Sequence, residues 1–195
     1  MPEPRIVLDR QSVLDAGSRP APAVRDEPFT LRTLPATSRY SLRLSNDVAE
    51  RLSPVAGFEV RQTINSITGS DKLAMRLGPD EWLLAGGDAG IRDNITTALA
   101  GEHHALVDIS HRQVAFEALG ERAIDILNCG CPLDLNQSAF PAGSATRTLF
   151  GKAEIILSRQ SEEPHWRIEC WRSFGRYVDD YLMDAARLLG VAPNH

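Results

Sequence analysis

The string KLAMRLGPDEWLLAGG, from Lys72 to Gly87, constrains the fold more than any other stretch of the chain. Two strand-like runs flank Gly78-Pro79-Asp80, and Pro79 supplies the fixed φ that the second residue of a tight turn requires. A hairpin follows, and with it an antiparallel sheet. Upstream, Tyr40, Leu42 and Leu44 alternate with Ser41 and Arg43 in the period of a half-buried strand, and Asn46 or Asp47 can cap a helix through about Leu52. Downstream, Ile91, Ile95, Ala98 and Leu99 place an apolar stripe on one face of a helix that Gly101 ends.

The second half of the chain repeats this plan. HALVDIS and QVAFEAL are strand-like, while Ala123, Ile124 and Leu127 line a helix broken by Gly130 and Pro132. ATRTLF, AEIILS and HWRIECW are three further strand candidates. Ser173 can cap a closing helix on which Phe174, Tyr177, Val178, Tyr181, Ala185 and Leu188 share a face. Runs of strands with helices between them describe an α+β protein made of two similar halves, each a mainly antiparallel sheet with helices packed on one face.

With 195 residues, the chain holds one large or two small domains. Hydrophobic residues at 43% and charged residues at 24% match an ordinary globular chain. A formal charge of −5 repels nucleic acid where basic residues do not cluster, and no cluster is present. No apolar run reaches the roughly 18 residues of a membrane helix, and the start MPEPRIVLDRQSVLD lacks the basic and apolar regions of a signal peptide. Three cysteines are too few for a disulfide framework, so a cytoplasmic location is expected, with no nucleic acid and no membrane as partner.

Residues 1–38 hold six of the twelve prolines and read as an extended arm without a core of its own. Within it, Ile6, Leu8, Phe29, Leu31 and Leu34 suit docking on a partner; the bland alternative is a solvated tail. The globular part is placed at residues 39–190 and a C-terminal tail at 191–195.

Candidate chemistry is thin. Gly86 to Gly90 lies between a strand and a helix, but the glycine spacing is wrong for a dinucleotide loop and no Lys-Ser or Lys-Thr follows, so a plain turn is expected. His103, His104, Asp108, Ser110 and His111 tempt a Ser-His-Asp reading, yet strand alternation sends Asp108 and Ser110 to one face and His111 to the other. Cys129 and Cys131 lack the second cysteine pair of a structural zinc site. Trp82, Trp166 and Trp171 sit in strands, where large rings ordinarily fill a core. No catalytic, cofactor-binding or metal-ligating residue is assigned.

RLGPDEWLL (Arg76 to Leu84), VDISHR (Val107 to Arg112), CGCPLDL (Cys129 to Leu135), FPAGSATRT (Phe140 to Thr148) and RSFGRYV (Arg172 to Val178) together resemble the gamma subunit family of heterotetrameric sarcosine oxidase. The likeness runs from about Tyr40 to Leu189. That family is similar to the folate-binding aminomethyltransferase domain of the glycine cleavage system, which implies an aminomethyltransferase-like fold. Two departures matter. Where those transferases carry a glycine-rich stretch with a folate-binding Glu, this chain has the short turn Arg159 to Pro164; where they carry a catalytic Asp in an Asn-Asp segment, it reads QTINSITGSDK, with Asn65 before Ser66 and only Asp71 nearby. The resemblance thus implies a non-catalytic assembly subunit with no cofactor of its own. FAD, FMN, NAD and tetrahydrofolate would be held by the alpha and beta subunits and zinc by the delta subunit. The complex would oxidise sarcosine to glycine, passing the methyl carbon to tetrahydrofolate or releasing formaldehyde, and form hydrogen peroxide. The alternative is an autonomous folate-binding aminomethyltransferase-like enzyme.

Overall fold

A computed structural model describes residues 28–192. Ten strands form one continuous, mainly antiparallel sheet: β1 (Thr30–Thr33), β2 (Arg39–Leu44), β3 (Ser66–Thr68), β4 (Lys72–Gly78), β5 (Glu81–Gly86), β6 (His104–Asp108), β7 (Gln113–Leu119), β8 (Ser144–Phe150), β9 (Ala153–Arg159) and β10 (His165–Trp171). Four helices accompany it: α1 (Asn46–Leu52), α2 (Ile91–Ala98), α3 (Ala123–Asn128) and α4 (Gly175–Leu188).

The strand order β1-β7-β10-β9-β8-β3-β4-β5-β2-β6 reads as two copies of one pattern joined at the centre. In the first half, β4, β5, β2 and β6 lie side by side, and in the second, β9, β10, β7 and β1 do. Each is the strand order of a split βαβ unit, in which the first strand lies inside the sheet. The seam is narrow. Ser66 pairs with Ser144, the Ile67 amide donates to the Gly143 carbonyl at 2.8 Å, and the Ala145 amide donates to Asn65 at 3.0 Å.

The two halves therefore share one sheet. The second takes its outer strand from the start of the described chain: β1 fills beside β7 the place that β6 fills beside β2. Of the arm expected over residues 1–38, the described part, residues 28–38, departs from that expectation. The edge of β7 would otherwise leave its backbone groups open, and β1 closes it in register from Thr30 against Leu119 to Thr33 against Phe116. Phe29 and Leu31 are fully buried in the second half's own core, beside Phe116 and Trp166, and so are not free to dock on a partner. Leu34 is half-buried, and its amide donates to the Ala115 carbonyl at 2.8 Å. Ile6 and Leu8 lie outside the described residues. Of the tail expected at 191–195, Val191 is buried in the same core.

Alternation along the central strands explains why they are apolar on both sides. Trp82 and Leu84 of β5 face the first-half core, with Val48 and Ala49 of α1 and Ile91 and Ile95 of α2, whereas Leu83 and Ala85 face inward. In β9, Ile155 and Leu157 face the second-half core under α3 and α4, and Ile156 faces inward. The inward residues of both halves, among them Ile67, Met75, Leu83, Ala145 and Ile156, form a third core between them.

Two helix starts differ from expectation. Ser45, not Asn46 or Asp47, caps α1 and accepts from the Val48 amide, because its extended backbone turns the hydroxyl toward the free amides. Ser173 caps nothing: it lies in a 3-10 turn, Arg172–Phe174, that runs directly into α4, and Leu188 is 83% exposed rather than on the packed face.

Candidate functional site at the junction of the two halves

Beside the inner apolar core, the facing halves of the sheet carry charge. Arg39 opens β2 on its inner face, and Arg167 and Glu169 occupy the inner face of β10, while Ile168 and Cys170 between and beyond them enter the second-half core. The Arg39 Nε donates to Glu169 Oε2 at 2.7 Å, with both side chains almost fully buried. Arg167 donates to the other carboxylate oxygen through Nε at 3.0 Å and Nη2 at 2.6 Å. One buried carboxylate thus holds two guanidinium groups and ties the halves together. Arg39 Nη1 donates to the Thr37 carbonyl at 3.2 Å.

A second network lies at the rim. Glu81 of β5 accepts from Arg147 of β8 at 2.6 Å and pairs with Arg43 of β2 at 3.2 Å. The Arg147 hydrogen bond holds the Glu81 carboxyl below its ordinary range and raises Arg147 in turn. Glu81 and Arg147 border a polar slot of about 210 Å³, completed by Glu154, Arg112 and Trp171 among others. Arg112 lies 5.4 Å from the Trp171 ring centroid.

A larger open cleft of about 680 Å³ lies between the Thr33–Arg39 segment, the loop at Gly87 to Ala89, and the Asp108 to Val114 turn with Arg172. Of the group His103, His104, Asp108, Ser110 and His111, the last three line this cleft. Ser110 donates to Asp108 Oδ1 through its hydroxyl at 2.6 Å and its amide at 2.9 Å, and these bonds, the hydroxyl's first, hold Asp108 below its ordinary range. The hydroxyl also accepts from the Arg39 amide at 2.9 Å. Its proton is engaged by a carboxylate in a local turn, the reverse of a nucleophile facing a base. The ring of His104 meets the Glu102 carbonyl at 2.9 Å, His103 is exposed, and His111 lines the cleft.

The remaining candidates resolve into local structure. Gly86 has φ +104°, and a Cβ there would stand 2.0 Å from the Asp71 carbonyl oxygen, so the glycine is needed for close backbone approach. The Gly90 amide donates to Asp88 Oδ1 at 3.1 Å, which places a carboxylate where a phosphate would have to sit. Cys129 is exposed, while Cys131 and Cys170 are buried, and burial pushes the Cys170 thiol up to about 12. No three metal-ligating side chains converge among the described residues. Trp82 and Trp166 are core residues; Trp171 is 44% exposed. In the turn from Arg159 to Pro164, Arg159 donates to the Ser161 and Glu162 carbonyls, and Gln137 donates to the Glu162 carboxylate.

Sequence reading missed the Arg39–Glu169–Arg167 cluster. Its signal was present: Arg167 and Glu169 stand two apart on one face of HWRIECW, a strand otherwise packed with apolar side chains.

The model of the sarcosine oxidase, gamma subunit family matches residues 47–187, a span that runs from α1 to α4 and includes Arg167 and Glu169 but not Arg39. The sarcosine oxidase subunit gamma of an Arthrobacter species is 28% identical over 137 residues, 69% of this chain and 67% of that protein. A chain of the heterotetrameric sarcosine oxidase from Corynebacterium sp. U-96, solved with pyrrole 2-carboxylate, superposes with a TM-score of 0.74 at 27% identity, covering 84% of this chain and 86% of its own. The glycine cleavage system aminomethyltransferase T from Bartonella henselae shares the fold, with a TM-score of 0.65 at 12% identity over 86% of this chain and 48% of its own. The chain belongs to the sarcosine oxidase gamma subunit family.

Proposed function

We propose that this chain is a non-catalytic assembly subunit of a heterotetrameric sarcosine oxidase, whose complex oxidatively demethylates sarcosine to glycine with formation of hydrogen peroxide. The methyl carbon passes to tetrahydrofolate or leaves as formaldehyde. The alpha, beta and delta subunits carry FAD, FMN, NAD, tetrahydrofolate and zinc, and this chain carries none of them. The observation behind this reading is the family match over residues 47–187, joined to a junction whose charged groups bind one another. Glu169 is held by two arginines and Glu81 by Arg147, so neither carboxylate is poised to move a proton.

Calorimetric titration of the purified full chain with each of FAD, FMN, NAD and tetrahydrofolate tests the reading. No binding is expected. A dissociation constant at or below about 10 µM for any of them, roughly 7 kcal/mol, would revive an autonomous enzyme.

A further inference from the structure

The buried junction leaves two polar atoms unmet. Arg39 is 1% exposed, and its Nε and Nη1 bond to Glu169 and to the Thr37 carbonyl, yet its Nη2 has no hydrogen-bond partner among the described residues. Gln113, 7% exposed, likewise leaves its Oε1 without a donor. Buried polar groups are ordinarily bonded, so a pair of opposite sense, one N–H and one carbonyl oxygen, marks a place where a third group fits.

The two atoms belong to one corner of the molecule. Gln113 opens β7 on its inner face, opposite Trp171 of β10, and Glu169 stands two residues before Trp171 on the same face. Gln113 and Glu169 are thus diagonal neighbours, with backbones about 7–8 Å apart. Arg39 is bonded to that same Glu169. Both Arg39 and Gln113 also line the cleft of about 680 Å³, a size that suits a small-molecule site.

Charge narrows the ligand. Two guanidinium groups and one carboxylate leave the Arg39–Glu169–Arg167 cluster with one positive charge in excess. Along the cleft, Arg172 and His111 are set against the carboxylates of Asp88 and Asp108. A dianion such as phosphate would meet those carboxylates, whereas a zwitterion answers both signs.

We propose that this corner of the cleft binds a small α-amino acid as its zwitterion, the carboxylate accepting from Arg39 Nη2 and the ammonium donating to Gln113 Oε1. These two ends are the acceptor and the donor that the pair lacks, joined through a single carbon. Leu34 and Val114 on the cleft wall give a short side chain apolar contact. Both unmet atoms are sealed from solvent, so the ligand enters as the connector over residues 33–38 shifts, and the bond from Arg39 Nη1 to the Thr37 carbonyl at 3.2 Å is the contact that gives way. Such a site belongs to this chain alone and does not depend on the subunit reading above.

The test titrates the isotope-labelled full chain with glycine, and with acetate and methylammonium as half-ligands, following the Arg39 Nε–H and Gln113 side-chain amide signals by NMR. Glycine should shift both with a dissociation constant of about 1 mM or tighter, and each half-ligand should bind about tenfold more weakly or worse. Gln113→Leu keeps the bulk and removes the unmet carbonyl, so it should melt no lower than the native chain and bind glycine about tenfold more weakly. Native signals unmoved at about 10 mM glycine would overturn the proposal and leave the pair to a bridging water. Acetate binding as tightly as glycine would overturn it in favour of a plain carboxylate site. Unchanged glycine binding by the folded variant would overturn it too, and if the variant does not fold, the native titration with its half-ligands decides. None of these outcomes touches assembly with other subunits.

Discussion

Arg39 and Glu169 stand 130 positions apart and meet at 2.7 Å, both nearly sealed from solvent, across the junction of the two halves. Arg167 completes the site from the other side of the carboxylate. Breaking such a buried pair leaves an uncompensated charge, which typically costs about 3–5 kcal/mol. Glu169→Gln should be the most damaging single change here, because it strands two arginines. Urea unfolding of this variant should show a midpoint far below that of Arg147→Gln, which breaks only the rim pairs with Glu81 and Glu154; equal midpoints would show that the buried cluster does not hold the halves together.

Phe29 and Leu31 are expected to support the second half's own core. Phe29→Ala should lower stability by about 3–5 kcal/mol, as for other buried aromatic truncations. Removing residues 1–38, which strips β1, should lower the melting temperature sharply below that of a chain beginning at Pro28. Equal melting of the two truncations would return Phe29 and Leu31 to the role of a docking arm.

Much of this architecture was legible in the chain, and the exceptions share a cause. The β4–β5 hairpin, α2 and the strands from β8 to β10 each carry a local period or turn signal and lie where those signals place them. β1 has four residues, and its partner, β7, lies more than eighty positions away, so nothing local marks it as a strand. β3 has three residues, too few for alternation to show. The Arg39–Glu169 contact depends on how two strands from opposite halves face each other, and no window of sequence contains both. The turn at Gly86 to Gly90 was readable because glycine spacing decides it, whereas strand alternation did not reach Ser110 and His111, since β6 ends at Asp108 and Ser110 bonds to Asp108 within a turn.

Glu81 has a consequence for pH. Its carboxyl is held low chiefly by the Arg147 hydrogen bond, so the folded state favours its charged form. That contribution is present above the ordinary carboxyl value of 4.5 and is lost as pH falls through the lower folded value. The stability gap between the native chain and Arg147→Gln should be constant from about pH 6 to 8 and close below about pH 4. Denaturant midpoints across this range check it; a gap that widened in acid would contradict the assignment.

The cysteines should differ in reactivity. Cys170 is buried, with its thiol pushed up to about 12, and Cys129 is exposed. An alkylating reagent at pH 8 should modify Cys129 in the native chain and reach Cys170 only after unfolding, as read by peptide mass spectrometry. Native labelling of Cys170 would mean that the second-half core opens readily.

The central claim is that this chain serves as one subunit of a larger oxidase and holds no cofactor of its own. Native mass spectrometry of the chain co-expressed with the other subunits tests it most directly. The account predicts a single assembly containing one copy of this chain, which then dissociates from it at the mass of its polypeptide alone while flavin stays with other subunits. A chain that ionises only by itself, or that leaves the assembly carrying flavin or folate, would contradict it.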